Sequence, residues 1–361
     1  MTARRIRSSV FRAILYGIYL LAFFELAARI LLSIGPVSRV LKGRDDESSS
    51  RLNWVERHRI QQGFGGQYTF DVHDSERGWA VKPNLRQLSV FEGKILNTNV
   101  KGIRGQVDYA YPRKPGTTRI VTLGDSYTFG DEVSDDETYS FFLERALPST
   151  EVLNLGVHGY GQDQMLLYLE HEGFKYQPDV VILGYVWFDM FRNLFAFTNY
   201  SKPKFEVDGG TLRLTNVPVP PPERLLDREP YRSKAYDLGV MFYERVRWRI
   251  GWNRAWAETL TRAILDRLVS DVRQHRAVPL LVYLPVIEEM ANAQTDLTPN
   301  EQWLRDYCSA RGVDCLFLRS RFVDGQRHGQ FYDPRHHWFA NGHRTAAEGI
   351  RDYLVAKGLV H

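Results

Sequence analysis

At 361 residues the chain is long enough for one α/β domain of about 200–250 residues with appendages. Its 43% hydrophobic and 13% aromatic residues suffice for a sizeable core. The 47 basic and 43 acidic residues leave a net charge of only +4, and no basic stripe with interleaved aromatics occurs, which argues against nucleic-acid binding.

Residues 1–35 are a different kind of chain from the rest. Arg4, Arg5, Arg7 and Arg12 precede an uncharged apolar run from Ala13 to Phe24, and apolar character resumes after Glu25. Val10 to Ile34 is long enough to cross a bilayer, which takes about 20 residues. Glu25 and Arg29 are four apart and can pair on one helix face. An interior charge costs roughly 2.5–3.5 kcal/mol at the bilayer centre and less near an interface. No clean small-x-small cleavage site follows. The segment therefore reads as an uncleaved single-pass anchor, with the arginines in the cytoplasm and the remainder periplasmic or at the cell surface. A buried amphipathic helix is the alternative.

Residues 36–65 are charged and polar, and Arg44 to Ser50 reads as a linker. Residues 66–117, rich in Tyr, Phe, Trp, Gly and Asn, read as a small β-rich lead-in packed on the main domain. Asn99 and Arg104, beside a turn near Gly102, are expected to serve loop structure.

The main domain, 118–361, alternates. Strands are predicted at 119–123, 152–155, 179–184, 279–284 and 314–318, and helices at 138–147, 162–174, 255–275, 300–311 and 342–356. Strands separated by helical patterns imply a parallel sheet with helices on both faces. The apolar run Val180 to Leu183 suits a central buried strand. An insertion at about 195–253 contains a hairpin around Asp208-Gly209-Gly210, a stiff proline cluster and an aromatic stretch from Tyr231 to Trp248; it either caps the active site or serves packing. Cys308 and Cys315 are the two cysteines; outside the cytoplasm they could close a small loop, and otherwise they read as two buried thiols. No metal-ligand spacing, phosphate-binding loop or dinucleotide fingerprint occurs.

Chemistry concentrates at two distant places. Ile120 to Gly130 reads Ile-Val-Thr-Leu-Gly-Asp-Ser-Tyr-Thr-Phe-Gly. A strand that breaks sharply at Gly124 can present Ser126 at the carboxyl end of a parallel sheet, where ligands bind in open α/β folds. The serine amide then faces an oxyanion from the start of a helical turn. An ordinary βα turn is the bland alternative. Far away, Phe331 to His343 reads Phe-Tyr-Asp-Pro-Arg-His-His-Trp-Phe-Ala-Asn-Gly-His. A serine nucleophile needs a base, and the base an orienting carboxylate; Asp333 with His336 or His337 supplies both. These three could imitate a metal site, but the serine block favours the triad.

Together these blocks resemble the SGNH, or GDSL-type, hydrolase family, in its bacterial membrane-anchored form, whose order is serine first and an Asp-x-x-His loop last. The resemblance implies a flavodoxin-like three-layer α/β fold with sheet order 2-1-3-4-5, and no cofactor or metal. Residues 153–164 resemble the second block, where Gly159 occupies the place of the oxyanion-hole glycine. Residues 178–189 resemble the third, which usually ends in Asn-Asp; Asp189 is kept, but Phe188 stands in the asparagine position. Losing one oxyanion donor costs about 3–4 kcal/mol, roughly 100- to 1000-fold in rate, so the departure predicts a slow or specialised enzyme rather than a dead one. Asn193, four residues on, is a possible substitute. Asp333 to His336 keeps the family spacing, whereas His337 keeps the distance to Gly342; His337 is favoured as base. His158 and His343 read as structural.

Three functions follow. The first is an extracytoplasmic serine esterase acting on O-acyl, for example acetyl, esters of a glycan through an acyl-serine. The second is an O-acyltransferase to a surface polysaccharide, using the same triad beside a membrane acyl carrier. The third is a catalytically retired binding module.

Overall fold

The computed structural model describes residues 3–43, 46–60, 68–290, 297–326, 331–332 and 337–360. The chain opens with a long helix, α1 (Ala3–Ser33), followed by α2 (Gly35–Leu41) and α3 (Glu47–Ile60). Two short antiparallel hairpins follow: β1 (Asp71–Asp74) with β2 (Gly78–Val81), and β3 (Leu88–Val90) with β4 (Lys94–Leu96).

The main domain then runs β5 (Thr118–Gly124), α4 (Ser126–Phe129), α5 (Tyr139–Ala146), β6 (Thr150–Gly156), α6 (Gln162–His171), β7 (Val180–Tyr185) and α7 (Asp189–Arg192). The insertion holds the hairpin β8 (Lys204–Asp208) with β9 (Thr211–Thr215), then α8 (Pro222–Arg228) and α9 (Lys234–Arg249). The chain closes with α10 (Trp252–Gln274), β10 (Val278–Tyr283), α11 (Pro299–Arg311), β11 (Asp314–Phe317), α12 (Arg319–Gln326) and α13 (Ala340–Ala356).

Five strands form one parallel sheet in the spatial order β11-β10-β7-β5-β6. Numbered within the sheet this is 2-1-3-4-5, so the fold is α/β with a doubly wound sheet. The period of two along each strand builds both cores. Val121 and Leu123 of β5, Val181 and Leu183 of β7 and Leu281 of β10 face one layer, with Leu260, Ile264 and Leu268 of α10. Ile120, Ile182, Leu280 and Val282 face the other, with Leu143 of α5 and Ile350 of α13. Each of these side chains is buried, a gain of about 1.5–3 kcal/mol apiece. The topological switch lies beside β5, whose neighbours β6 and β7 are reached in opposite directions, and in open α/β sheets ligands bind in the crevice outside the strand ends at that point.

Among the described residues one helix, over Ser9–Ser33, is long and apolar enough to cross a membrane. Residues 36–65, expected as a linker, instead contain α2 and α3. The polar side chains that suggested solvent are spent on partners far along the chain. Ser48 donates to Asp237 at 3.2 Å, and Arg51 is ion-paired with both Asp237 and Glu229. Trp54 is fully buried among Phe197 and Tyr200. Cys308, on α11, and Cys315, on β11, are joined in a disulfide with Cα atoms 6.3 Å apart.

Candidate active site

Ser126 stands at the carboxyl end of β5, and glycines let it do so. A Cβ on Gly124 would lie 2.0 Å from Thr128 Oγ1, and one on Gly156, at the end of β6, 2.3 Å from the Phe129 nitrogen. Both strand ends are therefore bare so that the single turn of α4 can settle onto the sheet. Asp125 caps that turn, its Oδ1 accepting from the Tyr127 amide at 3.0 Å. The serine is only 5% exposed.

His337 brings the base. Its Nε2 lies 2.8 Å from Ser126 Oγ, across 211 positions of sequence. The ring is held from behind: Trp338 is fully buried and donates Nε1 to the Pro285 carbonyl at 3.1 Å, beside the Tyr332 hydroxyl on the same oxygen at 3.0 Å. The Phe339 amide donates to the Phe331 carbonyl at 2.7 Å, closing the loop just before α13. His337 Nδ1 is buried and meets no acceptor among the described residues. Asp333 and His336 lie outside the described residues. Of the two histidines, His337 is thus the one seen beside the serine.

The other expected residues are placed as follows. Gly159 lies in the loop after β6 with φ +74°, and a Cβ there would meet Asn199 Nδ2 at 2.1 Å, so only glycine fits. Among the described residues neither the Ser126 nor the Gly159 amide donates to a protein acceptor, which leaves both available to a ligand. Asp189 is fully buried and ion-paired to Arg192 one helical turn on. Burial, and then the nearby Asp125 carboxylate, push the Asp189 carboxyl well above the usual range, despite Arg192. Asn193 is no stand-in for the missing asparagine. Its Nδ2 donates to Gln162 and Thr261, both at 2.8 Å, and its Oδ1 accepts from the Asp163 amide.

Arg192 is the residue that motif reading passes over. Its Nη1 reaches Asp125 Oδ2 at 3.2 Å and the Tyr160 carbonyl at 2.9 Å, while its guanidinium lies 5.1 Å above the Phe188 ring. Asp125 Oδ2 is in turn 3.4 Å from Ser126 Oγ. The side chain is 26% exposed, so a cation borders the crevice where Phe188 offers no donor. The Asp189-x-x-Arg192 spacing, one turn of helix, is the sequence signal that finds it.

The lead-in hairpins brace this arrangement. His158, fully buried, is 2.7 Å from Asp71 of β1; burial opposes its charge, but Asp71 outweighs it and raises the histidine's pKa. Trp79 Nε1 donates to the His158 carbonyl at 3.1 Å. Arg104 donates to the Phe129 and Val133 carbonyls and to Asp135, pinning the chain just after α4. Asn99 Oδ1 accepts from the Lys101 and Ile103 amides. Both residues serve loop structure. His343, buried in α13, accepts from the Tyr139 amide through Nδ1 at 3.2 Å. A cavity of about 530 Å³ between the lead-in and α5, lined by Asn97, Asp135 and Glu144 among others, includes neither Ser126 nor His337.

No protein-family model and no curated protein sequence matches this chain. Solved structures are similar to it. A member of the lipolytic protein G-D-S-L family from Veillonella parvula is 10% identical, with 66% of this chain and 99% of that one covered and a TM-score of 0.39. A GDSL-like lipase from Bacteroides thetaiotaomicron is 12% identical, covering 69% and 92%, TM-score 0.40. An alpha/beta hydrolase enzyme from the metagenome of Lake Arreo is 14% identical, covering 70% and 99%, TM-score 0.41. These superpositions are partial, and the sheet order and the Ser126–His337 contact stand without them.

Proposed function

We propose that the protein is a serine ester hydrolase whose domain lies outside the cytoplasm and which acts on O-acyl esters, such as acetyl esters of a glycan. The observation that carries this reading is the 2.8 Å contact between His337 Nε2 and Ser126 Oγ. A serine in hydrogen-bonding reach of an imidazole at a sheet switch point is the arrangement acyl transfer requires.

In the proposed cycle Ser126 Oγ attacks the acyl carbon while His337 Nε2 takes its proton. The carbonyl oxygen becomes an oxyanion received by the Ser126 and Gly159 amides. Collapse expels the alcohol, which leaves with the proton from His337. Water then attacks the acyl-serine, gives its proton to His337 and releases the acid, and the proton returns to Ser126. Asp333 is the residue assigned to orient the imidazole through Nδ1. The Arg192 charge offsets, over a longer range, the donor that Phe188 does not supply.

The same contact favours an enzyme over a retired module, in which nothing would keep the two side chains in register. The arginines that precede the apolar run, Arg4, Arg5, Arg7 and Arg12, and the Cys308–Cys315 disulfide support a cytoplasmic N-terminus and an oxidising compartment for the domain. The test is hydrolysis of a small aryl acetate by the detergent-solubilised full-length chain, with Ser126→Ala and His337→Ala alongside. Each variant is expected to lose about 10,000-fold or more in rate, and Ser126→Ala also loses labelling by a fluorophosphonate. Equal, near-background rates in all three, with no labelling of the native chain, would overturn the reading.

A further inference from the structure

The helix α9 is built inside out for a domain surrounded by water. Its inward face carries charge: Asp237 is fully buried with Arg51 and Ser48 on it, and Glu244 is buried and accepts from Asn253. Its outward face is apolar and aromatic. At about 100° per residue, Tyr236, Phe242, Tyr243, Val246 and Ile250 share an arc of about 120°. All five are exposed, Phe242 by 70% and Tyr236 by 62%. The patch continues at both ends, through Tyr231 (89%) before the helix and Trp252 (61%) at the start of α10. In water an amphipathic helix points the other way, so the medium outside α9 differs from water.

What that medium is follows from the neighbouring helix. α1, the apolar helix, packs along α9. Its one acidic residue in the apolar stretch, Glu25, accepts from the Ser233 hydroxyl at 2.7 Å and from the Lys234 and Ala235 amides, each at 3.1 Å. The two amides are orphan donors of the first turn of α9, and the positive end of its dipole faces the carboxylate. Glu25 is eight residues short of Ser33, hence about 12 Å before the end of α1. The first turn of α9 therefore sits at the level of the last turns of the apolar span. At that depth a bilayer passes from hydrocarbon to headgroups, the zone that Trp and Tyr favour.

We infer that α9, with the start of α10, lies in the headgroup boundary of the phospholipid leaflet that α1 exits, its aromatic face turned into lipid. The occupant of the patch is the bilayer itself. α1 and α9 pack against each other and both expose apolar side chains, and Arg249 stands exposed at the far end of the patch to meet anionic headgroups. On the inner side the Trp248 ring packs, tilted by 51°, with its centroid 4.7 Å from that of Phe191 of α7, the helix that carries Arg192. The membrane-facing helix is thus in direct contact with the element that borders the Ser126 crevice.

The test uses the full-length chain in phospholipid nanodiscs, where no other protein but the scaffold is present. Its two cysteines are consumed by the disulfide, so single cysteines take a fluorophore cleanly. Phe242→Cys and Trp252→Cys replace exposed side chains, and Glu348→Cys, exposed on α13, is the reference. The probes at 242 and 252 are expected to emit to the blue and to be quenched by spin-labelled lipids but not by iodide. The probe at 348 is expected to show the reverse. Iodide quenching at 242 and 252 equal to that at 348 would overturn the inference. Shielding from both quenchers that is relieved by diluting the chain in lipid would overturn it in favour of a second copy. None of these readouts depends on Ser126, so they stand or fall apart from the esterase reading.

Discussion

Arg192 places a permanent positive charge close to Ser126, with Asp125 between them. Asp125 and Asp189 hold it from two sides, and Phe188 lies beneath its guanidinium. A guanidinium cannot be deprotonated and is weakly hydrated, so it suits a site that closes around developing negative charge. Arg192→Met is expected to lower kcat/KM by about 10- to 100-fold. Arg192→Lys, which keeps the charge but not the fork, should lose less. Unchanged kcat/KM in the Met variant, with the melting temperature also unchanged, would remove Arg192 from the chemistry. Sequence reading singled out Ser126 and His337, which the fold brings within 2.8 Å, because motif spacing records backbone constraints: a bare strand end and a fixed distance to a helix. It passed over Arg192 because an arginine on a helix is ordinary until its neighbours in space are known.

At the scale of elements, the five main strands were legible because each is a short segment bounded by turn residues, and in β5, β7 and β10 burial on both faces leaves no competing pattern. α3 was not legible. Its Ser48 and Arg51 look like solvated linker, and their partners, Glu229 and Asp237, lie in a later insertion that no local pattern connects to them. The most constrained junction is where α4 meets the ends of β5 and β6. A methyl group on residue 156 would press on backbone atoms, the Phe129 nitrogen at 2.3 Å and the Thr128 carbonyl carbon at 2.6 Å. Backbone cannot step aside as a side-chain tip does. Gly156→Ala should therefore destabilise the fold by about 1–3 kcal/mol and, by lifting α4, slow fluorophosphonate labelling of Ser126 more than that loss of stability explains. Native melting and labelling in this variant would show that α4 is not seated as described.

At the scale of the whole molecule, stability should fall on mild acidification, and His343 is a named cause. Burial, then Arg104 and His337, pull its pKa down from 6.5 to about 3. Between those values the unfolded chain binds a proton that the folded chain refuses, so stability present above pH 6.5 is lost progressively as the pH falls. Asp189, raised well above 3.8, works the other way: its buried carboxyl favours the folded chain most at low pH. His343→Gln is expected to be less stable than the native chain at pH 7, having lost a buried contact, yet to lose less between pH 7 and pH 5. Parallel melting curves for the two proteins across that range would contradict this. The seam between α1 and α9 bears on a different question, that of time. Glu25 and Ser233 are 208 positions apart, and at about 5–20 residues per second the partner emerges roughly 10–40 s after the carboxylate. Through that interval Arg29, 2.8 Å away on the same helix, is the counter-charge at hand. On the proposed topology anchoring is a process in two acts, in which α1 enters the membrane first and its final seat is built only when the insertion that carries Ser233 has been made and folded.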